Sequence, residues 1–86
     1  MGWNALLVED DHAIATVIVS ALTDEGFTVT VCDSIAQRDR LLAGRAFDVM
    51  LTDVMLTDGD GLASLADIRA RQPGMPVLVL SAQNTL

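Results

Sequence analysis

Apolar and polar positions along this chain switch between a period of two and a period near three and a half, and each switch marks a new element. Ala5-Leu6-Leu7-Val8 is a continuous apolar run that stops at Glu9-Asp10-Asp11, as a strand covered on both faces stops at a polar loop. From His12 onward Ile14, Val17, Ile18, Ala21 and Leu22 recur at spacings of three and four, which predicts an amphipathic helix with Asp11 as N-cap and Gly26 as C-cap. Phe27-Thr28-Val29-Thr30-Val31 alternates strictly and predicts a strand with one less buried face, near a sheet edge. Ser34-Ile35-Ala36-Gln37 has the form of a capping box and opens a second helix over 34–43, which Gly44 stops. Phe47 to Thr52, apolar apart from Asp48, predicts a third strand ending at Asp53. Thr57-Asp58-Gly59-Asp60-Gly61 reads as a turn-rich loop, after which Leu62, Leu65, Ala66 and Arg69 share a helical face until Gln72-Pro73-Gly74 breaks it. Pro76-Val77-Leu78-Val79-Leu80 predicts a fourth strand.

Strands and helices in strict alternation, joined by loops of a few residues, require right-handed crossovers and a parallel sheet. The expected fold class is therefore α/β, a doubly wound parallel sheet, with no internal domain boundary. The fourth strand has the composition of an interior strand, yet only six residues follow it, so the chain is expected to be incomplete. An open apolar edge is also a template for pairing, so a homo-oligomer formed through that strand is expected.

With 86 residues, 51% of them hydrophobic, and a mean hydropathy of +0.43, the chain carries enough apolar side chain for one core and does not read as disordered. Twelve acids against five arginines, with no lysine, give a net charge of −7, which repels phosphate backbones and argues against nucleic-acid binding by this segment. The lone Cys32 excludes an internal disulfide and fits a reducing compartment. No apolar run is long enough to span a bilayer, and no basic, apolar leader opens the chain, so a cytoplasmic location away from membranes is expected.

Ligands of open parallel sheets bind beyond the carboxyl ends of strands where the winding reverses, here between the first and third strands. Glu9, Asp10 and Asp53 fall at those ends. Adjacent strands lie ~4.8 Å apart, so the three carboxylates are expected to share one pocket. Their mutual repulsion calls for a cation, and an all-oxygen donor set suits Mg²⁺ better than zinc. A carboxylate beside Mg²⁺ can attack a phosphoryl group to give an acyl phosphate. Taken singly, Glu9-Asp10-Asp11 could merely cap a helix and Asp53 could be a solvated loop residue; their meeting at two matched strand ends is the signal.

These residues carry a resemblance. Leu7-Val8-Glu9-Asp10-Asp11, Leu51-Thr52-Asp53 with Gly61 downstream, and Pro76-Val77-Leu78-Val79-Leu80-Ser81-Ala82 together resemble the receiver domain of two-component response regulators, a flavodoxin-like fold, along the whole chain. The tail Ser81-Ala82-Gln83-Asn84-Thr85 is similar to that of nitrogen-regulation activators. The resemblance implies that Asp53 is the phosphoacceptor for a sensor histidine kinase and that Asp10 and Asp53 ligate Mg²⁺ directly. It further implies that Glu9 holds the ion through water, that Met55 contributes its backbone carbonyl, and that the Ser81 hydroxyl is the switch group bonding the phosphoryl. On this reading residues 1–86 are the N-terminal portion of a single receiver domain, regulatory rather than enzymatic, within a transcription regulator. Leu56-Thr57 stands where the family usually has Met-Pro, and the family's phosphate-binding lysine has no counterpart, so impaired signalling is expected.

Other chemistries fit less well. A haloacid-dehalogenase-type phosphotransferase wants a second Asp where Met55 stands, an EF-hand wants spaced oxygen ligands and a distal Glu beyond Asp58-Gly59-Asp60-Gly61, and a dinucleotide site wants glycines where this chain has three acids. His12 reads as an ordinary first-turn residue near solvent, Met50 and Met75 as packing residues, and Cys32 as an unreactive thiol. The competing function is a non-phosphorylated, self-associating interaction module built on the same fold.

Overall fold

The computed structural model describes residues 2–56, 58–60 and 64–80, the side chains of Met55 and Asp60 apart. Its elements in chain order are β1 (Trp3–Val8), α1 (His12–Asp24), β2 (Phe27–Cys32), α2 (Ile35–Gly44), β3 (Val49–Asp53), β4 (Met55–Leu56), β5 (Gly59–Asp60), α3 (Leu65–Arg71) and β6 (Val77–Leu80). Four strands form a parallel sheet in the order β2-β1-β3-β6, and β4 pairs antiparallel with β5 in a short hairpin. The alternating strand of the sequence, β2, lies at an edge as its pattern requires.

β1 organises the core because its successive side chains serve opposite faces. Leu6 and Val8 point to the layer containing α2 and α3, where Met50, Leu56, Leu65, Ile68 and Met75 join them. Ala5 and Leu7 point to the α1 layer with Ala15 and Leu51. All four β1 residues are fully buried, which is why the run is continuous rather than alternating. Trp3, at the start of the strand, is exposed.

Local signals set the helix ends. The Asp11 carboxylate accepts from the amides of Ala13 and Ile14 at 3.0 and 3.1 Å and caps α1. At the other end Glu25 is the cap residue, and Gly26 one position later takes φ +95°, where glycine is favoured, while its amide bonds the Thr23 carbonyl. Ser34 caps α2 by accepting from the Gln37 amide at 3.1 Å. The Gln37 side chain reaches back to the amide of Asp33 rather than to that of Ser34, a capping box displaced by one residue.

Four expectations are corrected. The packed stripe of α1 runs through Ala15, Ile18, Val19 and Leu22, while Ile14 and Val17 are exposed, Val17 by 69%; the apolar arc of α1 is wider than the face it buries, so periodicity alone allowed two phases. In α3 the buried residues are Leu65 and Ile68, whereas Ala66 and Arg69 face solvent; Leu62 lies outside the described residues. β3 begins at Val49 rather than Phe47, because the Asp48 carboxylate accepts from the Asn4 amide at 2.6 Å and its own amide bonds the Asn4 carbonyl at 2.7 Å. β6 lies at the open edge of the sheet beside β3, as expected for a strand with only six residues after it in the chain to cover it, and its Leu78 and Val79 are exposed. The β4–β5 hairpin falls within the stretch expected to be plain loop.

Arg38, on α2, is the largest fully buried side chain. Its Nε and Nη2 donate to Asp39 at 3.0 and 2.8 Å and Nη2 also to the Ser64 hydroxyl at 2.6 Å, while Nη1 has no partner among the described residues.

Two stability outcomes follow from this packing, both read by urea denaturation. Leu6→Ala should cost ~2–5 kcal/mol, and Val17→Ala no more than ~0.5 kcal/mol. Arg38→Met, which removes a buried charge whose Nη1 has no partner among the described residues, should leave stability within ~1 kcal/mol or raise it.

Candidate metal centre

Strand register builds the site. Val8 is paired with Thr52 in the parallel ladder, so the next residues along, Glu9 and Asp53, leave the sheet side by side, and Asp10 follows in the β1–α1 turn. The Glu9 amide donates to the Cys32 carbonyl at 2.9 Å, extending the β1–β2 ladder one residue and fixing where the acidic turn begins. Glu9 and Asp53 are buried and Asp10 is half-buried. One carboxylate oxygen from each of the three lies within 4.8 Å of the others.

Two of the three carboxylates are held by nearby backbone amides. Glu9 Oε2 accepts from the Asp11 amide at 3.2 Å, and Asp53 Oδ1 from the Val54 amide at 2.7 Å. The Thr52 hydroxyl donates to the Asp53 carbonyl at 3.0 Å. No cation answers these acids among the described residues, whose ion pairs are Arg38 with Asp39 and Arg71 with Asp67. Burial above all, and then the neighbouring Asp53 and Asp10 carboxylates, push the Glu9 carboxyl above its ordinary value, against the opposing pull of the Asp11 amide. The donor set is all oxygen and strongly anionic, the chemistry of a hard divalent cation. The three residues fit such an ion.

Glu9, Asp10 and Asp53 are thus brought together as expected. Met55 lies in β4, two residues beyond Asp53, with its backbone paired to Asp60. Ser81 lies outside the described residues. His12 is exposed in the first turn of α1. Burial pushes the Cys32 thiol up from 9.0 to about 11, in keeping with an unreactive cysteine.

Comparison with known proteins fixes the family. Residues 5–86 match the family model for the response regulator receiver domain. The chain belongs to that family. It is 35% identical over 83 residues to the transcriptional regulatory protein GlrR of Escherichia coli strain K12, covering 96% of this chain and 19% of that protein. It is 38% identical over 84 residues to the DNA-binding transcriptional regulator NtrC of Rhizobium meliloti strain 1021, covering 98% of this chain and 17% of that regulator. The chain therefore spans about a fifth of the length of these curated relatives. Among solved structures, the MaeR response regulator bound to beryllium trifluoride superposes with a TM-score of 0.86 at 32% identity, over 96% of this chain and 70% of that one. The receiver domain seen here has its acidic cluster where the two halves of the winding diverge.

Sequence reasoning passed over Arg38, Asp58 and Ser64. Arg38 is in phase with the packed residues Ile35, Leu41 and Leu42 on α2, a signal of burial available from spacing alone. Asp58 read only as a turn former; it accepts from the amides of Ile35 and Ala36 at 2.8 and 3.1 Å, which hold its exposed carboxyl below the usual range.

Two outcomes follow. The unfolded chain gives Glu9 its ordinary value near 4.5, and the fold raises it, so the folded state holds that proton to higher pH. In metal-free buffer this contribution to stability is full below that ordinary value and lost as pH rises through the raised one, and Glu9→Gln should flatten the loss and raise the urea midpoint at neutral pH. Cys32 in the folded domain should react with iodoacetamide about 100-fold more slowly than in urea, the ratio expected from thiolate fractions at 9.0 and about 11.

Proposed function

We propose that this receiver domain accepts a phosphoryl group on Asp53 from a sensor histidine kinase, in a site held together by Mg²⁺. The observation that carries the reading is the convergence of Glu9, Asp10 and Asp53 at the adjoining ends of β1 and β3. The Val54 amide engages Asp53 Oδ1 and leaves Oδ2 as the nucleophile. Oδ2 attacks the phosphorus of a phosphohistidine, the new P–O bond forms as the P–N bond breaks, and the departing imidazole takes a proton from solvent. Asp10 and Asp53 would hold the metal directly and Glu9 through water, and the Met55 backbone carbonyl would add a ligand. Bound Mg²⁺ supplies charge neutralisation on the transferring oxygens. The Ser81 hydroxyl bonds the phosphoryl group once it is transferred.

The relatives GlrR and NtrC are transcriptional regulators, and by that likeness the domain serves as the phosphorylated input of a cytoplasmic regulator of transcription.

Incubation with acetyl phosphate and Mg²⁺ should add one phosphoryl group per chain by intact mass, labile to hydroxylamine. Asp53→Asn or chelation of the metal should abolish the label altogether. A folded chain that takes no label would overturn the reading. At free Mg²⁺ about 100 times its dissociation constant the domain should gain about 2.7 kcal/mol against urea, a gain that Asp10→Asn reduces.

A further inference from the structure

The chain that leaves Asp53 is fastened to α2 by three contacts that the acidic cluster does not use. Asp58, in the turn between β4 and β5, places both carboxylate oxygens on the first two amides of α2, Ile35 and Ala36. Gly59 beside it has φ +150°, and a Cβ there would stand 3.0 Å from the Ile35 Cδ1 atom, so the turn touches the first side chain of the helix as closely as glycine allows. Farther on, Ser64, the cap residue of α3, accepts from Arg38 Nη2 at 2.6 Å. That bond stands at the edge of a cavity of about 260 Å³ between α2 and α3. Beneath the cavity the two helices share the core through Leu41, Leu42, Leu65 and Ile68, and at its rim the guanidinium and the Gln72 side chain, which donates to the Leu42 carbonyl at 3.3 Å, join them.

Neither contact is needed for the fold core. Asp58 is exposed, and the desolvation of Arg38 opposes folding while its Nη1 stays without a partner among the described residues. Both polar contacts nevertheless tie residues downstream of the acceptor, Asp58 and Ser64, to a single helix. We propose that Asp58 and Arg38 are positioning residues that hold the β4–β5 turn and Ser64 against α2, so that the Val54 amide keeps the Asp53 carboxylate in the orientation that phosphoryl transfer requires. This rests on the acceptor reading above, and its test has a readout that does not.

The full chain is compared with Asp58→Ala, Arg38→Met, Ser64→Ala and Ser64→Thr, by residue-resolved amide exchange and by labelling with acetyl phosphate at saturating Mg²⁺. In Asp58→Ala the Ile35 and Ala36 amides should exchange about fivefold faster, as expected for loss of a helix cap. The Val54 amide should quicken with them while Leu7, in the sheet core, does not. Arg38→Met and Ser64→Ala should also quicken Val54, and Ser64→Thr, which keeps the hydroxyl, should restore it. Labelling should slow about fivefold in the three disruptive variants, as expected for one lost hydrogen bond, with Mg²⁺ affinity by calorimetry unchanged. If Ile35 and Ala36 quicken but Val54 and the labelling rate stay at wild-type values, the contacts are a cap and a packing bond only, and the proposal falls. If the wild-type chain takes no label, the acceptor reading falls, and Val54 exchange alone decides whether the anchoring stands.

Discussion

Everything at the site depends on the parallel pairing of β1 with β3. Val8 opposite Thr52 is an apolar and hydrogen-bonded match inside a dry sheet, and it fixes the next rung, where Glu9 and Asp53 emerge. No attraction between those residues brings them together. Two carboxylates and a third from Asp10 repel one another at this distance, and burial first, with that repulsion added to it, raises the Glu9 carboxyl above its ordinary value. The energy that opposes the repulsion comes from Ala5, Leu6, Leu7 and Val8, which fill the two layers of the core. Hydrophobic burial on both sides of one strand thus maintains an electrostatically unfavourable cluster at its end, a charge arrangement that a hard divalent cation would relieve.

The same logic accounts for what was legible beforehand. The four main strands, three helices and the three acids follow from side-chain period and from where apolar runs stop, because those signals report burial directly. The phase of α1 did not, since Ile14, Val17, Ile18 and Val19 offer two equally apolar stripes and only contact with Leu7 and Leu51 selects between them. The start of β3 was obscured by Asp48, whose side chain mimics a ladder partner for Asn4. The β4–β5 hairpin is only two residues per strand, too short to carry a period.

Arg38 and Asp58 were hidden for a different reason. A charged residue on a short helix reads as a solvated one; the phase of Arg38 with Ile35, Leu41 and Leu42 hints at burial, but its partners, Asp39 beside it and Ser64 far along the chain, show only in the fold. Asp58 likewise looks complete as a turn former, while its carboxylate serves amides 22 and 23 residues earlier. Long-range polar contacts have no periodicity, so a single sequence holds no local signature of them.

The distribution of these contacts bears on how a change at Asp53 travels. The strand ends that hold the three carboxylates are embedded in the sheet, and a sheet pinned on both faces has little freedom to respond. The described residues after Asp53 are held differently: Leu56 is seated in the core, while the turn at Asp58 and the Ser64 cap rest on one exposed carboxylate and one guanidinium beside a cavity. Such contacts are individually weak and exchange readily with water. A new phosphoryl charge at the rim would therefore be accommodated by the downstream stretch and by α2 to which it is tied, and not by the strands. Rigid acids and a loosely moored neighbour are what an acceptor site needs if occupancy is to alter shape without unmaking the site itself.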